Sequence, residues 1–300
     1  MRAIVRVPAT VANLGPGFDM LALALQLQNE VHATTRDGAE IVIEGVGDDP
    51  ELRDPARNLV ARAYAEACGR IGVSPDARGV GLRCSNVIPF SRGLGSSAAA
   101  ALSGVLVAVA LNRAPWEVAE IIACTASFEG HSDNVAAALL GGLAIWAPEA
   151  EAQRIDVPDE VVAVVFAPDQ RLATSEARRV VSTTLDRGDA IFNAARCALL
   201  VRAFLQRDYG ALREAMDDRW HQRQRAALVP ALPDLMAAAY AAGADGVCLA
   251  GAGPSVLALS AHGTAEVEAA FAETATRLNI DGQVMVLRVR NFGARVEVAP

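Results

Sequence analysis

Beta-branched and alternating apolar residues over 3–7, 21–35, 40–44 and 79–86 predict four strands in the first half of this chain. Helical patterns fill the gaps. Residues 58–72 read as an alanine-rich amphipathic helix ended by Gly72, residues 97–111 as a second helix, and residues 115–128 as a third with Pro115 in its first turn. Gly141, Gly142 and a short strand over 143–146 lead into a polar, proline-bounded stretch, 148–160, which predicts a seam between two halves. The second half opens with a buried strand over 161–167. It continues through helices over 191–206, 209–217, 232–242 and 264–278, with strands at 246–250, 255–260 and 283–289. Strands and helices interleave in both halves, so the pattern predicts α/β layers rather than a helical bundle or a β-sandwich.

Composition narrows the function classes. With 300 residues and 52% hydrophobic content there is ample material for a buried core. A formal net charge of −8 and the lack of a dense Lys/Arg run exclude a surface that tracks a nucleic-acid backbone, although a few well-placed arginines can still hold a small anion. The most apolar stretch, 98–111, falls short of the roughly 20 residues a bilayer span needs, and reads as a core helix, so no membrane partner is expected. Arg2 and Arg6 interrupt the N-terminal apolar residues, which argues against a signal peptide; the expected location is the cytoplasm. Five scattered cysteines without a C-x-x-C pair suggest packing rather than zinc or disulfides.

The candidate chemistry begins between the fourth strand and the second helix, at Pro89, Phe90, Ser91, Arg92, Gly93, Leu94, Gly95, Ser96 and Ser97. Two glycines let the backbone approach a ligand closely, and the helix start that follows offers unpaired N–H groups and a positive dipole end. On the glycines alone a plain strand-to-helix turn capped by Ser96 or Ser97 is an equal reading. No G-K-S/T follows, so this is not a Walker A loop, nor is it a dinucleotide G-x-G-x-x-G.

The full string "PFSRGLGSSAAAA" resembles the ATP-binding motif of the GHMP kinases, which phosphorylate small-molecule alcohols. "VPATVANLGPGFD" (7–19) and "LAGAGPSV" (249–256) are similar to two further motifs of that superfamily, in the expected order. Four stretches look like the homoserine-kinase branch: the N-terminal string, "EGHSDNVAAALLGG" (129–142) with Ser132 and Ala137 where that branch has proline, "TSEARRVV" (174–181) and "DRWHQRQR" (218–225). The resemblance implies an α+β, two-domain fold. Residues 1–152 would form an N-terminal α/β nucleotide-binding domain, and 153–300 a C-terminal ferredoxin-like α/β sandwich, with the site in the cleft between them. It also implies ATP as co-substrate, Mg²⁺, L-homoserine as acceptor, and a homodimer.

Residue roles follow as expectations. Asn58, Pro89, Arg92, Gly93, Leu94, Gly95, Ser96, Ser97 and Ala98 are the ATP-side candidates; Asn58 reads equally as a helix N-cap, and residues 85–87 are the alternative lining for the adenine. A zwitterionic substrate must have each polar group paired. Arg178 and Arg225 carry guanidinium forks that suit its carboxylate, although as isolated residues they read as surface arginines. Asp19 suits the ammonium, and Asn13 and Asn134 the remaining polar groups, including the attacking hydroxyl. His131 and His221 would orient the substrate or its neighbours, and Thr174, one helical turn before Arg178, would contact the phosphoryl group. For Mg²⁺ the candidates are Glu129 and a loop hydroxyl, Ser97 ahead of Ser96. Asp133 is either a general base or the group that orients Asn134 or His131, and Thr10 stands where mevalonate kinases place a lysine. Two rivals remain open at this point: another GHMP kinase acting on shikimate or a mevalonate-pathway alcohol, and a non-catalytic binding protein on the same fold.

Overall fold

The computed structural model describes residues 1–36, 38–74 and 79–299. Its first half contains strands β1 (Arg2–Asn13), β2 (Gly17–Thr35) and β3 (Glu40–Gly45), helix α1 (Leu59–Ile71), strand β4 (Val80–Asn86), helices α2 (Ser96–Asn112), α3 (Val118–Glu129) and α4 (Asp133–Leu140), and strand β5 (Leu143–Ile145). The second half contains β6 (Gln153–Ile155), β7 (Val162–Pro168), α5 (Thr174–Arg179), α6 (Arg187–Gln206), α7 (Leu212–Ala215), α8 (His221–Arg225), α9 (Leu232–Ala241), β8 (Gly246–Leu249), β9 (Val256–Ser260), α10 (Ala265–Arg277), β10 (Gly282–Arg288) and β11 (Arg295–Ala299).

Two sheets organise these elements. The first is seven-stranded, with the path β11-β1-β2-β4-β3 and β5 and β6 branching from β2. Its pairs are antiparallel except β3 with β4. The second is four-stranded and antiparallel in the order β10-β7-β9-β8. Pro8 has no N–H to give a ladder, and the β1–β2 register shifts just after it. Helix α2 is apolar all round because it is enclosed by α1, α3 and β1, which confirms residues 98–111 as a core helix. In the second sheet the side-chain alternation serves two cores. Val164, Phe166 and Val256 face Phe271 and the α9–α10 layer, while Ala163, Val165, Leu257 and Leu259 join the larger core that contains α2 and α6.

Several elements depart from the sequence pattern. The third helix begins at Val118 rather than near Pro115, because Glu117 and Glu120 form a reciprocal capping box that sets its start. The helix expected over 209–217 is a 3₁₀ turn, Tyr209–Ala211, followed by α7. The polar stretch 148–160 contains β6, and β11 returns from the far end of the chain to pair with β1. No cysteine is paired: four are buried and Cys197 is partly exposed, as packing residues should be. Among the described residues no helix is long and apolar enough to cross a membrane.

Candidate active site

The loop from β4 to α2 forms one wall of a cleft that Glu129, Asn134, Arg178 and Arg225 also line. Gly95, with φ +70°, is the N-cap of α2, and no side chain caps this helix start, so its first N–H groups remain available to a ligand. Both loop glycines are required by contacts with distant segments. A Cβ at Gly93 would collide with the Ala250 carbonyl oxygen, and one at Gly95 with Thr10 Oγ1. The three motifs, far apart in the chain, thus touch at this loop.

The opposite wall comes from the turn between β1 and β2. Asn13 and Asp19 have φ values of 73° and 57°, uncommon for residues with a Cβ, and local bonds hold them there. Asn13 Nδ2 donates to Gly251 O at 2.9 Å, and Asn13 Oδ1 accepts from the Asp19 N–H at 3.2 Å. Asp19 takes a two-pronged hydrogen bond from Arg178, at 2.6 and 3.0 Å. Arg225 lies beside this pair and is 2% exposed. Its Nε donates to Ala177 O at 3.1 Å, and one terminal nitrogen donates to Gly251 O and to His221 Nδ1. Arg225 has no carboxylate within ion-pair distance among the described residues. Burial, reinforced by the neighbouring charge of Arg178, pulls its pKa down to about 10, so it stays charged at neutral pH. Phe18 underlies both guanidinium groups, 5.7 Å from Arg178 and 5.2 Å from Arg225, and offers its π-face to two cations that repel each other.

The floor is the segment from the end of α3 to the start of α4. Ser97 Oγ donates to Glu129 Oε1 at 2.5 Å, which selects Ser97 over Ser96 as the hydroxyl beside this carboxylate. Burial pushes the Glu129 pKa up, against the opposing effect of the Ser97 hydrogen bond. A half-buried carboxylate held by a hydroxyl is a donor pair that fits a hard divalent ion. Asp133, 1% exposed, accepts at Oδ1 from His131 Nδ1 (2.8 Å) and from the Asn134 N–H (2.7 Å). Burial opposes charge on His131, but the hydrogen bond and negative charge of Asp133 outweigh it and the net shift is upward.

Most of the expected residues meet in this cleft. Asn13, Asp19, Pro89, Arg92, Gly93, Leu94, Gly95, Ser96, Ser97, Glu129, His131, Asp133, Asn134, Thr174, Arg178 and Arg225 all line it. Three do not. Ala98 is buried in the first turn of α2. Asn58 caps α1 through the Ala61 N–H at 3.1 Å and lines an adjacent cavity, which shares Ser91, Ser96 and Ser97 with the cleft. Of the two roles expected of His221, orienting the substrate or its neighbours, its position suits the second: it is fully buried behind Arg225, with Gly15 O holding it from the far side. Its partners dictate its tautomer, since a carbonyl only accepts and a guanidinium only donates. Nε2 carries the proton and Nδ1 is the acceptor. The sequence reading also passed over Phe18 and Ala252; both stand within motifs already singled out, and that was their available signal.

Burial drives the His221 pKa down to about 4, below its ordinary 6.5, so its neutral form contributes stability that is present above 6.5 and lost as pH falls through that window. Denaturant melts between pH 7 and 4.5 are expected to show His221→Gln losing less stability than the parent on acidification. Parallel curves for the two proteins would remove this assignment.

Comparison with known proteins gives the same picture. A model for the N-terminal domain of the GHMP kinases matches residues 58–142, and one for their C-terminal region matches 200–275. The chain is 36% identical over 296 residues to the homoserine kinase of Aquifex aeolicus, covering 97% of this chain and 98% of that protein. It is 41% identical over 296 residues to the homoserine kinase of Trichormus variabilis, covering 97% of each. The crystal structure of homoserine kinase from Cytophaga hutchinsonii superposes with a TM-score of 0.87 at 28% identity, over 99% of this chain and 97% of that one. Lactococcus lactis galactokinase, at 14% identity and a TM-score of 0.74 over 98% and 95% of the two chains, shares the fold. Relatives of such identity along nearly the full length, together with the fold and its glycine-rich loop, place this chain in the GHMP kinase family, on the branch of the homoserine kinases.

Proposed function

We propose that this protein transfers the γ-phosphoryl group of ATP to the side-chain hydroxyl of L-homoserine, giving O-phospho-L-homoserine for threonine biosynthesis. The observation that carries the choice of acceptor is Arg225, a buried guanidinium at the cleft with no carboxylate within ion-pair distance among the described residues, beside the Asp19–Arg178 pair. An α-amino acid supplies what this arrangement needs: its carboxylate pairs with Arg225 and Arg178, and its ammonium takes Asp19 in exchange for Arg178. Mevalonate and shikimate carry a carboxylate but no ammonium, so nothing would replace Arg178 on Asp19 and free it to join Arg225 on the carboxylate.

On the nucleotide side, the N–H groups from Gly93 to Ala98 cradle the phosphates, and the cavity beside Asn58 takes the adenine against Leu52, Val60 and Phe90. Glu129 and Ser97 are the residues that would hold Mg²⁺, which neutralises phosphate charge when bound. Asn134 donates to the reacting hydroxyl oxygen, and Thr174, at the start of α5, stands ready for the phosphoryl group. Asp133 already accepts two donors at one oxygen, which supports an orienting role. A loose phosphoryl-transfer transition state leaves little charge on the attacking oxygen, so positioning and electrostatics can suffice without a strong base. We place the domain boundary at residue 152, between the family segments 58–142 and 200–275, with β6 and β11 returning to the first sheet.

A coupled ADP-release assay across L-homoserine, L-serine, L-threonine, shikimate and mevalonate is expected to give the highest kcat/KM for L-homoserine. Turnover of mevalonate or shikimate with none on homoserine would refute the proposal. No turnover of any alcohol would favour the non-catalytic reading.

A further inference from the structure

We infer that Thr10 is a positioning residue for phosphoryl transfer, because its hydroxyl holds the Asn134 amide in register with the phosphate loop. This rests on the kinase reading above. Thr10 is 0% exposed and does not line the cleft, so it cannot touch a ligand itself. Its hydroxyl donates to Asn134 Oδ1 at 2.7 Å and has no other partner among the described residues. The backbone fixes the hydroxyl in place. Thr10 N–H donates to Leu94 O at 3.2 Å, and Gly95 of the same loop packs directly on Oγ1. Its β-branched side chain adds stiffness at χ1.

The two ends of a primary amide are nearly the same size, so sterics alone do not choose between its orientations. A hydroxyl can pair with either end, and here Thr10 donates to Oδ1. With Oδ1 engaged, the NH₂ group is left for the cleft, where the attacking oxygen and the transferred phosphoryl group are both acceptors. A flipped amide would turn its carbonyl oxygen toward that negative charge and lose the donor. Through Leu94 and Gly95 the same threonine registers Asn134 against the phosphate loop, so donor and phosphate share one fixed reference.

The test is a double-mutant cycle on kcat with the alcohol that the substrate panel shows to be accepted. Thr10→Val removes the hydroxyl at nearly constant volume. It is expected to lower kcat about tenfold or more, with both KM values within about threefold, as befits one oriented transition-state hydrogen bond. Thr10→Ser should restore kcat to within about twofold, and in an Asn134→Ala background Thr10→Val should change kcat by less than about twofold. A parental kcat for Thr10→Val, or an undiminished effect in the Asn134→Ala background, overturns the inference. Failure of homoserine alone in the panel would instead count against the choice of substrate, since the cycle runs equally with another accepted alcohol. Should Thr10→Val melt before assay, Thr10→Ala takes its place against Thr10→Ser, with the same two outcomes decisive.

Discussion

Arg225→Ala is expected to raise KM for L-homoserine by about 100-fold or more while KM for ATP stays within about threefold. The asymmetry follows from position. Arg225 reaches the cleft from α8, on the side of the Asp19–Arg178 pair, whereas the phosphate loop forms the other wall. Removing it withdraws a charge-assisted bond from a buried carboxylate, worth about 1.5–3 kcal/mol before the penalty for stranding the anion is counted. The variant also leaves the carbonyl of Ala177 and the acceptor nitrogen of His221 without their donor, and Gly251 O with Asn13 alone, so its melting temperature should fall as well. Arg225→Lys separates the two effects. It keeps the stem and the charge but not the fork, and should sit between the parent and Arg225→Ala in KM. Equal increases in KM for ATP and homoserine would remove the carboxylate contact from the scheme.

Glu129→Gln should lower kcat by about 100-fold or more without lowering thermal stability, a pairing that a purely structural carboxylate would not produce. In the free protein the Glu129 pKa is raised, chiefly by burial. A carboxyl whose folded pKa exceeds its unfolded one contributes stability below the unfolded value, and loses it as pH rises through the folded value. At neutral pH its charge is therefore a cost to the fold, which glutamine removes while still accepting from Ser97. The kinetic sign runs the other way. A cation needs the ionised form, so kcat/KM of the parent should fall on acidification at a pH above the ordinary carboxylate range, and this limb should be absent in Glu129→Gln. The checks are a Mg²⁺ titration of initial rates, a pH profile and a thermal melt. A variant with parental Mg²⁺ dependence, or one that melts well below the parent, would show that Glu129 serves the fold instead.

Much of the site was legible before any coordinates, because its chemistry is carried by short contiguous strings. The loop 89–97, the turn 13–19 and the segment 129–134 each place several cleft residues side by side in the chain. Long periodic elements were equally plain. Less visible were those with no pattern of their own. Strand β11 is exposed throughout, so its brief Arg295-Val296-Glu297-Val298 alternation marks no buried face; its ladder with β1 creates it. Helices α5 and α8, of six and five residues, are too short to be specified by local propensity and form because neighbouring segments hold their polar groups. The Gln222 side chain, for example, accepts from the Leu249 N–H of β8 at 2.7 Å.

The sequence by itself determined the kinds of group that could act: a glycine-rich anion loop, an Asp and two Arg for a zwitterion, a Glu and a Ser for a hard cation, and the apolar periods that build two layered sheets. Residue type sets chemistry, and chemistry survives without coordinates. The tertiary structure decided which groups face the ligand and which only support those that do. His221 and Thr10 look as reactive on paper as any cleft residue, yet burial turns both into orienting groups for Arg225 and Asn134. That distinction depends on contacts such as the one joining positions 124 residues apart, where solvent exclusion and hydrogen-bond direction are properties of the packed fold alone.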